Sequence, residues 1–166
     1  MKPGYWGKPM LVWLWISLIV LILDQVTKRI VDTTMALHES IPLVPMFQLT
    51  YLRNQGAAFS FLSGAGGWQR WFFIILAISA SGFICYWLKS LPRQRAFEAC
   101  AWSLVLGGAL GNLIDRILYG YVIDFLDVFY GDWHWPAFNV ADSAITVGVV
   151  MLLLDSLISR PDSRKA

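Results

Sequence analysis

The stretch VIDFLDVFYGDWHWPAFNVADSAI, Val122–Ile145, decides how the rest of the chain is read. It carries Asp124 in an apolar run and Asp142 where a loop turns back into another apolar run. Apolar surroundings are a costly place for a carboxylate. Two carboxylates brought together there cannot both ionise cheaply, so they share one proton, the working part of an aspartic peptidase. The remainder of the chain then reads as the scaffold that brings the two acids together at a membrane surface.

Composition supports a membrane scaffold. Of 166 residues, 57% are hydrophobic and 14% charged, and mean hydropathy is +0.57. Disorder is excluded on these values, and the length suits one domain, residues 1–166. A net charge of +2 gives no broad basic field, so nucleic acid is not an expected partner. Cys85 and Cys100 lie in apolar runs without CxxC spacing, and both read as small core residues. No HExxH or similar metal spacing occurs, so no metal and no cofactor is expected.

Four segments are long enough to cross a bilayer: about 10–30, 68–88, 96–118 and 140–159. No small-x-small cleavage site follows the first, which reads as a retained span. Eight of the thirteen Lys and Arg fall on one side of this layout: Lys2, Lys8, Lys89, Arg93, Arg95, Arg160, Arg164 and Lys165. That side is expected to be cytoplasmic, with both termini inside and two connections outside. Trp13, Trp15, Trp87 and Trp102 fall near inner span ends, and Trp68 and Trp71 near an outer one.

The first outer connection, 31–67, alternates Phe47, Leu49 and Tyr51 with Gln48, Thr50 and Leu52, and predicts short strands in a small extracytoplasmic sheet. Gly56, with Ala57 and Ala58, allows backbone to approach something closely, or simply makes a tight turn. The second outer connection, 119–139, is aromatic and acidic and predicts a short interfacial helix over 126–132. The expected fold class is an all-α membrane protein of four transmembrane helices with that sheet and that helix.

Polar residues at membrane depth mark the rest of the site. Asp24 and Lys28 have i, i+4 spacing on one face of the first span, and read as a packing pair before a catalytic one. In the third span Gly107 and Gly111 allow close helix contact. Asn112, Asp115 and Arg116 follow on one face, either as a bundle-locking ion pair or as a wall of the site. Six acids lie on or near the outer face: Asp24, Asp115, Asp124, Asp127, Asp132 and Asp142. Spacing alone does not select two of them. Asp142 is favoured because it opens the fourth helix, at the positive end of its dipole, and Asp124 because its neighbours are the most apolar. His134 reads as an interfacial residue and Ser143 as a first-turn residue without a base. A small transporter and a purely structural protein are the rival readings. The gathering of acids near one face disfavours a transport path, and a structural protein predicts that charge-neutral swaps alter stability alone.

Together Asp24–Lys28, Asn54–Phe59, Gly107–Arg116, Val122–Asp127 and Phe138–Ser143, in that order, resemble the lipoprotein signal peptidase (signal peptidase II) family. The resemblance covers essentially the whole chain. It implies a multi-pass aspartic endopeptidase of the bacterial inner membrane, with its active site at the periplasmic face and both termini cytoplasmic. Diacylglyceryl-modified prolipoproteins would be cut before the lipid-modified cysteine. By resemblance the catalytic pair falls on Asp124 and Asp142. The supporting positions fall on Asp24, Lys28, Asn54, Asn112, Asp115, Arg116 and Asn139. Expected partners are the prolipoprotein substrate, membrane lipid and cyclic peptide inhibitors of the globomycin type, with the chain acting as a monomer.

Overall fold

The computed structural model describes residues 10–56 and 66–158. Four helices carry the architecture: α1 (Leu14–Thr34, after a 3-10 turn at Met10–Trp13), α2 (Trp68–Ser90), α3 (Ala96–Leu118) and α4 (Val140–Ile158). All four are long and apolar enough to cross a membrane. Four strands, β1 (Ser40–Val44), β2 (Phe47–Asn54), β3 (Val122–Tyr130) and β4 (Trp133–His134), form an antiparallel sheet in the order β1-β2-β3-β4. Ala57, Ala58, Phe59 and Gly64 lie outside the described residues, as do Ser159 and the basic residues Lys2, Lys8, Arg160, Arg164 and Lys165.

Helix ends follow from local chemistry. Pro92, which lacks an N–H and restricts the residue before it, stops α2 at Ser90, with Leu91 extended at ψ 133°. α1 continues to Thr34 and not Ile30, which puts Asp24 in the middle of the helix. The extension is earned by Val31 and Met35, which pack beneath the sheet against Tyr51, Ile123 and Phe125.

α3 is the central helix. Of its apolar window 56% is buried, against 17–22% for the other three, which turn most of their surface outward. Exposed Ile19, Ile22 and Ile30 on α1, Phe72, Ile75 and Phe83 on α2, and Val150, Leu153 and Leu157 on α4 form the belt a lipid solvent requires. Cys85 belongs to that outer surface and not to the core: it is exposed on α2, because α2 presents only a narrow face to α3. At one end of the bundle Ile84, Leu88, Ala99 and Leu106 pack with Trp13 and Trp102, and Arg95 pairs with Glu98 and Asp155. The sheet covers the other end.

Residues 126–132 are not helical. Val122–Tyr130 is one strand, β3, and its period-two alternation explains why. Ile123 and Phe125 pack toward α1 while Asp124 points the other way. The strand's backbone is satisfied on one edge by β2 and on the other by the segment returning to α4, an arrangement that an interfacial helix would forfeit. A bulge in β2 sets Thr50 and Tyr51 opposite Phe125, and both bulge residues are buried.

Glycines let α1 and α4 close on α3. A Cβ on Gly107 would lie 2.8 Å from Ser17 O, and one on Gly108 would strike Ala141 O. Gly108→Ala is therefore expected to lower the thermal unfolding midpoint in detergent, by about 1–3 kcal/mol of stability. Gly82→Ala, on the outer face of α2 with open space around it, should leave the midpoint unchanged or raise it.

Candidate active site

The site is built on a buried ammonium. Lys28 Nζ lies 2.8 Å from Asp24 Oδ2 and 3.0 Å from Asp115 Oδ2, and all three residues are essentially inaccessible. Two carboxylates against one cation leave an excess negative charge, which cannot stay buried without donors. The backbone supplies them. Ala141 N–H donates to Asp24 Oδ1 at 2.9 Å and Ile123 N–H to Asp115 Oδ2 at 3.2 Å. Gln25 Nε2 bridges Asp24, Asp115 and the carbonyl of Gly111. The cluster thus ties α1 and α3 to the first turn of α4 and the start of β3. Gly111 is required beside it, because a Cβ there would lie 2.5 Å from Asp24 Oδ2.

Asn112 passes this order on toward the cavity. Its Oδ1 accepts from Lys28 Nζ at 2.9 Å, which leaves its amide nitrogen to donate to Asp142 Oδ1 at 2.8 Å. Asp142 stands in the first turn of α4, where Asn139 is the N-cap. Asn139 Oδ1 accepts from Asp142 N–H at 2.9 Å, and Asn139 N–H donates to Asp142 Oδ2 at 3.3 Å. This reciprocal pair is a capping box. Asn139 Nδ2 then donates to Asp124 Oδ1 at 2.8 Å, so one buried residue holds both acids, Asp124 through its side chain and the Asp142 carboxylate through its backbone N–H.

Asp124 comes from β3. The segment returning from β4 lies along β3 through Phe138, which exchanges backbone hydrogen bonds with Leu126 at 2.8 and 3.0 Å. That pairing delivers Asn139 beside Asp124. Asn54, at the end of β2, donates to Asp124 Oδ2 at 2.9 Å. Burial, and secondarily the charge of Asp142, push the Asp124 carboxyl up to about 7.

Both acids line a cavity of about 760 Å³ between α2, α3, α4 and the return segment. Its polar end carries Asn54, Asn112, Arg116, Asp124 and Asp142; Phe73, Leu76, Ile145 and Val147 make the rest largely apolar. Arg116 lies over the Phe73 ring at 4.8 Å and donates to Gly56 O at 2.9 Å, which brings the chain after β2 to the cavity rim. A positive charge facing two carboxylates, beside amide donors, suits an oxyanion or a peptide backbone.

The structure separates the six outer acids. Asp124 and Asp142 share the cavity; Asp24 and Asp115 are bound by Lys28. Asp127 points to the opposite face of β3, where His134 and Gln48 hold it, and Asp132 is exposed. The two readings of Asn112, Asp115 and Arg116 both hold in part: Asp115 locks the bundle, Arg116 is cavity wall, and Asn112 is both. Ser143 Oγ donates to Asn139 O, as a first-turn residue does. Sequence reasoning missed Gln25, Ala141 and Phe138. Phe138 and Ala141 act through backbone and leave no side-chain signal. The capping box Asn139-x-x-Asp142 was a signal available to find their surroundings.

The family model for signal peptidase II, peptidase family A8, matches residues 16–158. The chain belongs to the signal peptidase II family. A lipoprotein signal peptidase of Pseudoalteromonas translucida is 54% identical over 157 residues, covering 94% of this chain and 95% of that protein. One of Burkholderia mallei is 58% identical over 145 residues, 87% of each. A bacterial membrane enzyme solved by the in meso method at 2.3 Å resolution superposes with a TM-score of 0.79 at 37% identity, over 93% of this chain and 94% of that one. As a signal peptidase II the chain is an aspartic peptidase and a multi-pass membrane protein.

Removing the cation tests the buried cluster. Lys28→Met leaves Asp24 and Asp115 facing each other uncompensated, and should cost about 3–5 kcal/mol, read as a lowered unfolding midpoint in detergent.

Proposed function

We propose that Asp124 and Asp142 are the catalytic pair with which this chain removes the signal peptide from diacylglyceryl-modified prolipoproteins, cutting before the lipid-modified cysteine. One observation carries the reading: two carboxylates from different elements line one largely apolar cavity, both bonded by a single residue, Asn139, with Asp124 held near 7 by burial and by its partner. Family membership supplies the substrate class.

The chemistry follows from the surroundings. Asp142 accepts from Asn112 and Asn139 at the positive end of α4 and acts as the base. Asp124 carries the shared proton. Asp142 takes a proton from a water lying between the two, and Asp124 donates its proton to the scissile carbonyl as the water attacks. The resulting tetrahedral diol collapses. Asp142 hands its proton to the leaving amine, Asp124 takes one back from the diol, and the pair returns to its starting state. Arg116 and Asn54 face the same space and bind the peptide backbone. The apolar walls from α2 and α4 receive the signal segment and the lipid. Cyclic peptide inhibitors of the globomycin type would occupy the same cavity.

The chain works as one domain and as a monomer, with the sheet at the periplasmic face and both termini in the cytoplasm. Lys89, Arg93 and Arg95 lie at the bundle end away from the sheet, which supports this orientation.

Asp124→Asn and Asp142→Asn should each lower cleavage of a lipid-modified prolipoprotein by at least about 10³-fold while the protein stays folded and inserted. Native turnover in either would overturn the assignment. EDTA should leave the native rate intact, and the unmodified precursor should be cut far more slowly than the lipid-modified one.

Two pH effects follow from Asp124. Its proton is lost as pH rises through about 7, so kcat/KM should fall on the alkaline side with an apparent pKa near 7 that belongs to the pair. An acid raised on folding holds its proton in the folded state while the unfolded chain has lost it. Stability should therefore decline as pH rises from about 4 to about 7, and Asp124→Asn should remove that decline in a series of thermal melts.

A further inference from the structure

The two carboxylates sit on separate pieces of backbone, Asp124 on β3 and Asp142 just beyond the return segment 135–139. Beyond the Lys28 cluster, their spacing depends on how the return segment is registered along β3. Backbone bonding supplies only part of that registration. β4 is two residues long, paired as Phe129 with His134 and Tyr130 with Trp133. Beyond it Trp135 N–H donates to Val128 O at 2.8 Å, Pro136 has no N–H to give, and the next ties are at Phe138. A two-residue strand followed by a proline is a weak ladder.

A side-chain cluster lies at this weak point, on the face of β3 opposite Asp124. Asp127 is 5% exposed. His134 Nδ1 lies 3.0 and 2.9 Å from its two oxygens, and Gln48 Nε2 donates to Oδ2 at 2.7 Å. With both oxygens as neighbours, Nδ1 carries the hydrogen. The imidazole also stacks on Phe129, centroids 5.4 Å apart and planes 20° from parallel. One buried carboxylate thus joins β2, β3 and β4, and the catalytic proposal above assigns it no part.

We propose that Asp127, His134 and Gln48 form a clamp that fixes the register of the return segment, and through it the distance between Asp124 and Asp142. These are positioning residues, and the proposal rests on the reading of Asp124 and Asp142 as the catalytic pair. Slippage at His134 moves Trp135–Phe138, which line the cavity, and then Asn139, whose side chain holds Asp124 and whose backbone N–H holds the Asp142 carboxylate. A misplacement of about 1 Å at reacting groups costs up to about 10²-fold in rate, so even a partial loosening is measurable.

The test is a cleavage assay on the full chain in lipid with a diacylglyceryl-modified prolipoprotein, at a temperature well below each variant's unfolding midpoint. Asp127→Leu and His134→Ala should each lower kcat on the order of tenfold with KM within about twofold. The double variant should be no slower than the worse single one, because both remove the same clamp. His134→Gln, whose amide can still donate to Asp127, should recover most of kcat. Asp132→Asn, exposed on the same hairpin, should match the native protein. Native kcat in Asp127→Leu and His134→Ala overturns the clamp, as do fully additive losses or a His134→Gln variant as slow as His134→Ala. Asp124→Asn and Asp142→Asn run alongside: if those two still turn over, the catalytic reading fails, whereas if they are inactive and the clamp variants are unimpaired, only the clamp fails.

Discussion

The structure depends on how one buried ammonium is neutralised. Lys28 cannot lie in an apolar bundle alone, and the two carboxylates it attracts overcompensate it. The surplus is absorbed by N–H groups at the start of α4 and the start of β3. Those are the two elements that carry Asp142 and Asp124. Charge balance at the centre of the bundle and alignment of the acids at its end are consequently one arrangement. Asn112 makes the link concrete, with its oxygen on the cation and its nitrogen on Asp142.

α3 shows the same economy in packing. Its glycines admit α1 and α4 to backbone contact, and the polar residues that follow them, Asn112, Asp115 and Arg116, continue onto the site. A bulkier residue at Gly111 would meet the Asp24 carboxylate first and the Ala141 methyl group behind it. Close helix approach in this bundle is thus also what brings charged groups within bonding range. Lipid offers no hydrophobic drive for that approach, so shape and polar bonds carry it.

Much of this was legible in the residues. Long apolar runs define helices by length alone, so three of the four spans agree with expectation to within two residues over the described chain. The i, i+4 spacing of Asp24 and Lys28 gave their pairing directly. Apolar neighbours pointed to Asp124, but the helix read over 126–132 hid the role of Asp127. In a strand, residues three apart face opposite ways, which sends Asp124 to the cavity and Asp127 to His134. Nor could any residue pattern announce that Ala141 N–H reaches Asp24, because that bond belongs to backbone and spans 117 positions.

That long bond has a bearing on biogenesis. α1 is made first and α4 last, and the Asp24 carboxylate gains its Ala141 donor only when the final span has docked. A nascent chain that has not yet delivered α4 holds Asp124 but lacks Asp142 and the side of the cavity that α4 supplies. On the catalytic pair proposed above, cleavage therefore awaits the arrival of the last helix.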